Sequence, residues 1–280
     1  MDLTTIRDIS RPTTRAGLPP FGPGDAWLAG GTWLFSEPQS LLSRLIDLAG
    51  LGWTPLTLSD AGIEIAATCR IAELYPFVAP EIWRAAPLFR QCCDALLASF
   101  KIWNMATVGG NLCLALPAGA LIALTAALDG DCVIWQADGE ERRVKVTAFV
   151  TGNNRSVLEP GEVLRAIVLP VAALLRRTAF RQASHSHLGR SSVLLIGTRS
   201  PSDGSFAVTI TAATTRPVRL DFPALPDDAE LRARLDAVVA PSLYFDDAHG
   251  TAAYRRHMTH HFAEEIRQEL AGEADACHSR

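Results

Sequence analysis

Ala29-Gly30-Gly31-Thr32 and Thr107-Val108-Gly109-Gly110-Asn111-Leu112 are the two stretches on which the reading of this chain turns. Each sets a pair of glycines and a threonine among apolar residues. Without a Cβ, a glycine adopts φ > 0 at no steric cost. Successive backbone N–H groups then converge on an anion, and a neighbouring threonine adds a hydroxyl. Two such bends can hold one diphosphate between them. A Gly-Gly pair also marks an ordinary tight turn, so spacing alone leaves both readings open.

Working outward, Ala26-Trp27-Leu28-Ala29 reads as a strand running directly into the first glycine pair, followed by a helix over 38–45 and a strand over 44–48. This is a small α/β unit that presents its backbone amides at the strand end. G-x-G-x-x-G is absent, so the Rossmann fingerprint does not apply. Alternation at Ile63, Ile65 and Ala67 gives a further strand. Ala86, Phe89, Cys93, Leu96 and Leu97 recur at helical spacing over 85–97. The second glycine pair follows, and the almost wholly apolar stretch 117–128 then reads as a buried helix. Strands resume over 132–136 and 143–146 around the Asp138-Gly139 turn, and another over 163–169 closes at Pro170, where the domain boundary is set. Strand-like runs over 178–182, 192–196, 206–212 and 217–220, then helices over 227–239 and 251–270, make a C-terminal antiparallel sheet covered on one face by helices.

Composition narrows the function. A chain of 280 residues supports one large core or two to three smaller ones. No apolar run approaches the roughly 18 residues of a membrane span, and the start lacks a secretory pattern, so the cytoplasm is the expected location. A net charge of -4 with no long basic run argues against nucleic acid. Cys69, Cys92, Cys93, Cys113, Cys132 and Cys277 form no C-x-x-C pair. They read as small buried apolar residues, not as ligands of zinc or a cluster.

In chain order, four segments resemble the FAD-binding medium subunit of molybdenum hydroxylases, the xanthine dehydrogenase and carbon monoxide dehydrogenase family. They are Ala29-Gly30-Gly31-Thr32, the run Lys101-Ile102-Trp103-Asn104-Met105-Ala106-Thr107-Val108-Gly109-Gly110-Asn111-Leu112, Leu158-Glu159-Pro160-Gly161-Glu162-Val163-Leu164, and Ala179-Phe180-Arg181-Gln182-Ala183. Ala252-Ala253-Tyr254-Arg255-Arg256-His257-Met258 is similar to that family's closing helix. The resemblance implies an α+β fold with a two-part α/β FAD-binding domain of the PCMH type. Its subdomains would span 1–58 and 59–170, before a C-terminal α+β domain over 171–280.

It further implies an oxidoreductase subunit that binds FAD without a covalent bond. Electrons would come from iron-sulfur clusters on a small partner subunit and leave to NAD, oxygen or a quinone. Molybdopterin would sit on a large partner subunit, and the heterotrimer can double. No catalytic side chain or metal ligand is expected on this chain. A flavin-poor scaffold subunit of the same complex, or a stand-alone flavin oxidase, are the alternatives. Carried over by position, the FAD diphosphate would meet the amides of Ala29, Gly30, Gly31, Thr32, Trp33 and Leu34 and those of Val108, Gly109, Gly110 and Asn111, with hydroxyls from Thr32 and Thr107. Leu164 would lie near the flavin ring, and Arg181 beside it would favour the reduced form.

Departures from the family pattern qualify this. A serine and an aspartate usual after the second glycine pair fall on Leu116 and Ala120, both apolar. Trp33 and Trp103 either lie over FAD or fill the space of a polar side chain. His257 and His261 stand one helical turn apart with no completing ligand, so a polar face is the expectation. The resemblance further implies that the His185-Ser186-His187 loop would run beside the flavin or toward partners.

Overall fold

A computed structural model of the chain describes residues 3–186 and 189–275; His187 and Cys277 lie outside them. Three strands, β1 (Asp8–Ser10), β2 (Asp25–Leu28) and β3 (Arg44–Asp47), form a parallel sheet in the order β1-β3-β2. The helix expected over 38–45 does not form. Its C-terminal part is taken by β3, which pairs on both sides from Arg44 onward. What remains is too short to nucleate a helix alone and has no face to bury, since Leu41 is 88% exposed.

The second sheet is antiparallel. β4 (Leu56–Ser59) and β5 (Gly62–Ala66) lie beside β10 (Val163–Pro170), then β6 (Asp131–Trp135) and the edge strand β7 (Glu141–Lys145). Between β5 and β6 the chain makes five helices: α1 (Ile71–Leu74), α2 (Pro87–Asp94), α3 (Phe100–Trp103), α4 (Val108–Leu114) and α5 (Ala120–Ala127). Between β7 and β10 come α6 (Val146–Phe149) and the hairpin of β8 (Val150–Gly152) with β9 (Arg155–Ser156). All of α5 is buried, as its lack of a polar face requires. Its N-terminal N–H of Leu121 is capped by Asn111 Oδ1 at 3.2 Å.

After α7 (Val171–Leu174), strands β11 (Arg177–Ser184), β12 (Ser191–Arg199), β13 (Phe206–Thr211) and β14 (Val218–Phe222) form a four-stranded antiparallel meander, followed by α8 (Asp228–Val238) and α9 (Ala252–Asp275). Helices cover both faces of this sheet, not one. Val193 and Leu195 of β12 pack with Leu231, Leu235 and Ile266 of α8 and α9. Leu194 and Ile196, on the opposite face, join Leu121 and Leu124 of α5. Core packing is therefore continuous across Pro170. Arg219 of β14 reinforces it by donating to the α5 carbonyls of Ala126 and Ala127 at 3.3 and 2.9 Å.

Arg255 of α9 is 1% exposed. Its guanidinium donates to the carbonyls of Ser192, Ala212 and Gly250 and pairs with Asp247. Among the described residues no helix is long and apolar enough to cross a membrane. Cys69, Cys92, Cys93 and Cys132 are buried, and burial pushes the Cys69 and Cys93 thiols up to about 12.

Candidate cofactor-binding site

The two glycine pairs meet because glycine lets backbones touch. An ideal Cβ on Gly30 would stand 1.9 Å from the carbonyl oxygen of Met105, and one on Gly109 would stand 2.6 Å from the Ala67 backbone. The bend after β2 thus presses on the chain entering α4, and α4 presses on the chain leaving β5. Between them opens a cleft of about 620 Å³, walled on a third side by Leu158, Glu162, Val163 and Leu164. That volume lies within the range of small-molecule and cofactor sites.

The first bend is open to a ligand. Phe35 N–H donates to Gly31 O at 2.8 Å and Ser36 N–H to Trp33 O at 2.9 Å, closing a single turn. Gly31, at φ +68, supplies the left-handed step that starts it. The N–H groups of Gly30, Gly31, Thr32, Trp33 and Leu34 have no hydrogen-bond partner among the described residues. They resemble the orphan donors of a helix N-terminus, where anions bind. Thr32 lines the cleft with them, and its hydroxyl is likewise unbonded among the described residues.

The second bend is not the open loop expected from its glycines. Thr107 is the N-cap of α4, and all four amides expected to face the diphosphate are taken. Val108 N–H donates to Cys69 O at 2.8 Å, Gly109 N–H to Ala67 O at 2.9 Å and Asn111 N–H to Thr107 O at 3.0 Å. Gly110 N–H donates to Thr107 Oγ1 at 3.0 Å. Val108 is a core residue, fully buried. Gly109, Gly110, Asn111 and Thr107 do line the cleft, where Gly110 presents a face with no side chain. The carbonyls that take Val108 and Gly109 come from residues some forty positions earlier, which local spacing did not show, whereas Gly110 and Asn111 are taken by Thr107 itself.

Ala29, Trp33 and Leu164 line the cleft. Arg181 is not among the cleft-lining residues. Its Nε donates to Glu265 Oε2 at 2.7 Å, and its Nη2 pairs with Glu269 at 2.7 Å, so α9 neutralises the cation. Trp103 also stays out of the cleft and packs on Tyr75, ring centroids 4.8 Å apart. Leu116 lines the cleft, whereas Ala120 opens α5 inside the core at 1% exposure. His260 and His261 pair with Asp236 and Glu265, each at 3.3 Å, and the His185 ring stacks on Tyr254.

Phe21 and Trp27 are among the cleft residues that escaped the sequence reading. They stack with centroids 4.9 Å apart and line the cleft beside the third wall, with Phe21 Cβ 3.3 Å from an ideal Cβ on Gly161. An aromatic pair of this kind offers a flat apolar platform to a ring system. Nothing in their spacing distinguishes them from packing residues.

An open amide bend above an apolar, aromatic-walled cleft, on a two-part α+β fold, defines a protein that binds an extended nucleotide cofactor. A family model described as the FAD binding domain in molybdopterin dehydrogenase matches residues 20–172, and the chain belongs to this family. What the family shares is an FAD-binding domain of molybdopterin-dependent oxidoreductases. Xanthine dehydrogenase of Oryza sativa subsp. japonica is 30% identical over 121 residues, which is 41% of this chain and 9% of that enzyme. Xanthine dehydrogenase 1 of Arabidopsis thaliana is 26% identical over the same length and shares; the chain thus matches under a tenth of these plant enzymes.

Among solved structures, quinoline 2-oxidoreductase from Pseudomonas putida 86 has a TM-score of 0.78 at 18% identity, covering 98% of this chain and 99% of that one. Carbon monoxide dehydrogenase from Oligotropha carboxidovorans also gives 0.78, at 21% identity, covering 96% and 98%. These neighbours share the fold.

The cleft fits FAD on its own geometry. Free amides suit a diphosphate, glycine faces admit its close approach, and apolar walls suit the rings.

Proposed function

We propose that this chain is the FAD-carrying electron-transfer subunit of a molybdenum hydroxylase complex. In this reading electrons arrive from iron-sulfur clusters on a small partner subunit, with molybdopterin on a large one, and leave to NAD, oxygen or a quinone. The observation that carries it is the run of cleft-lining residues 30–34 whose amides are unbonded among the described residues.

Those amides and the Thr32 hydroxyl hold the diphosphate. Each N–H bonded to a charged oxygen contributes about 1.5–3 kcal/mol. Because the bend is already formed, little ordering is lost on binding. Leu164, Phe21 and Trp27 shield the ring systems from water, and Gly110 lets the nucleotide lie against α4 without a clash. FAD, when bound, supplies the one- and two-electron chemistry. With Arg181 tied to Glu265 and Glu269, its expected role beside the ring is not part of this mechanism.

The closed amides of 108–111 and the apolar Leu116 favour a second reading, a scaffold subunit that holds FAD weakly or not at all. Titrating the purified chain with FAD separates the two. Quenching of flavin emission with a micromolar or tighter Kd and a yellow protein after gel filtration support the carrier. A colourless protein after reconstitution with excess FAD supports the scaffold.

A further inference from the structure

Glu162 is the one charged side chain among the described cleft-lining residues, and its carboxylate is turned toward its own chain. Arg142 Nε donates to Oε1 at 2.8 Å, Arg142 Nη2 to Oε2 at 2.5 Å, and the Glu159 N–H to Oε2 at 2.9 Å. The same Nη2 also donates to Val157 O at 3.0 Å. One guanidinium therefore grips both ends of the turn 157–162, which Gly161 closes at φ +86.

That turn is the third wall of the cleft. It carries Leu158 and feeds β10, where the pairing with β6 shifts register between Leu164 and Ala166. Arg142 is not itself a cleft-lining residue. It stands on the edge strand β7 and reaches past β6 to the entrance of β10. A planar guanidinium that bonds a carboxylate through two donors fixes direction as well as distance. Without it the turn keeps the bonds of Glu159 N–H to Glu162 Oε2, Glu162 N–H to Glu159 O and Val157 N–H to Phe149 O, none of which ties it to the sheet edge.

We infer that Arg142 is a positioning residue for the cofactor. Touching no part of FAD, it sets FAD affinity by holding Leu158 and Leu164 where the rings must pack. This rests on the FAD reading above.

The decisive variant is Arg142→Met/Glu162→Met. It removes both charges together, which preserves stability better than stranding one of them, and it abandons the two backbone bonds of the turn. The expected result is a Tm close to that of the unaltered chain with FAD affinity about ten- to a hundredfold weaker, the scale of loss that misplacement by an ångström produces. In the cofactor-free protein, amide hydrogen exchange over 157–164 should be faster, with exchange in α5 and β12 unchanged. Arg142→Lys, which keeps the charge and loses the fork, should fall between the two and serves as the readout if the double variant does not fold.

A Kd for FAD within threefold of the unaltered chain in the folded variant, or unchanged exchange over 157–164, overturns the inference. A merely structural role would lower Tm and leave the Kd measured well below it unmoved. If the unaltered chain binds no FAD, the carrier reading falls, while the exchange arm still decides whether Arg142 fixes the wall.

Discussion

Gly30→Ala tests the geometry that joins the two glycine segments. The new methyl carbon would begin 1.9 Å from Met105 O and 2.7 Å from Met105 C, and ordinary contact starts near 3.4 Å. Both neighbours are backbone, so no side chain can swing away, and the bend must retreat by the difference, 3.4 − 1.9 = 1.5 Å. A donor placed at about 2.9 Å from a diphosphate oxygen then stands beyond hydrogen-bond range. If two of the five free amides lose contact at about 1.5–3 kcal/mol each, binding weakens by about 3–6 kcal/mol. That is about 10²- to 10⁴-fold in Kd.

Quenching of flavin emission on titration into cofactor-free protein measures this directly. Gly272→Ala is the control. A Cβ there meets nothing within 4 Å, and replacing a helical glycine with alanine adds up to about 1 kcal/mol of stability with no change in FAD affinity. A Gly30→Ala protein that folds and binds FAD within threefold of the unaltered chain would refute the amide-bend reasoning.

Three further outcomes follow from the same bonds. Thr107→Ala removes the N-cap of α4 and should cost about 1 kcal/mol of stability, seen in urea denaturation, with FAD affinity falling less than in Gly30→Ala because the Thr107 oxygen already serves Gly110. Arg255→Met removes the guanidinium from the half-buried Asp247 carboxylate and strands three carbonyls in the interior. It should cost about 3–5 kcal/mol, a drop in Tm of roughly 10 °C by calorimetry; a drop under about 3 °C would contradict the role given to this guanidinium. The hydrogen bond from Arg142 holds the Glu162 carboxyl below its ordinary value near 4.5. A depressed pKa contributes stability that is complete above the unfolded value and lost as pH falls through the folded one. Unfolding free energy should therefore hold from pH 7 to 5 and decline below about 4.5, with a shallower decline in Arg142→Met/Glu162→Met.

Local pattern shows in this chain what neighbours in sequence decide. Alternation at Ile63, Ile65 and Ala67 marked β5, the almost wholly apolar stretch 117–128 holds a helix with no exposed face over Ala120–Ala127, and the turn at Gly139, φ +96, lies where Asp138-Gly139 puts it. Distant partners left no such trace. The carboxylates that neutralise Arg181 lie 84 and 88 positions further on, at Glu265 and Glu269. The helix over 38–45 had acceptable residues and lost to a strand paired on both sides. Phe21, with Trp27 stacked on it, meets Gly161 from 140 positions away, a juxtaposition that no spacing predicts.

The glycine pairs show how far a motif carries. In each, one glycine makes room for another backbone: Gly30 for Met105, Gly109 for Ala67. The second serves the cleft, Gly31 by taking a left-handed φ and Gly110 by offering a bare surface. Clearance and ligand contact demand the same residue type, so sequence shows two matching cradles where the fold keeps one open. The difference lies in the carbonyls opposite. Those of Ala67 and Cys69 reach the amides of Gly109 and Val108, and no carbonyl among the described residues reaches those of residues 30–34. A diphosphate thus finds its donors on the first bend and its clearance on the second, which makes Gly30 and Gly31 the more sensitive pair for FAD and Gly109 the more sensitive position for folding.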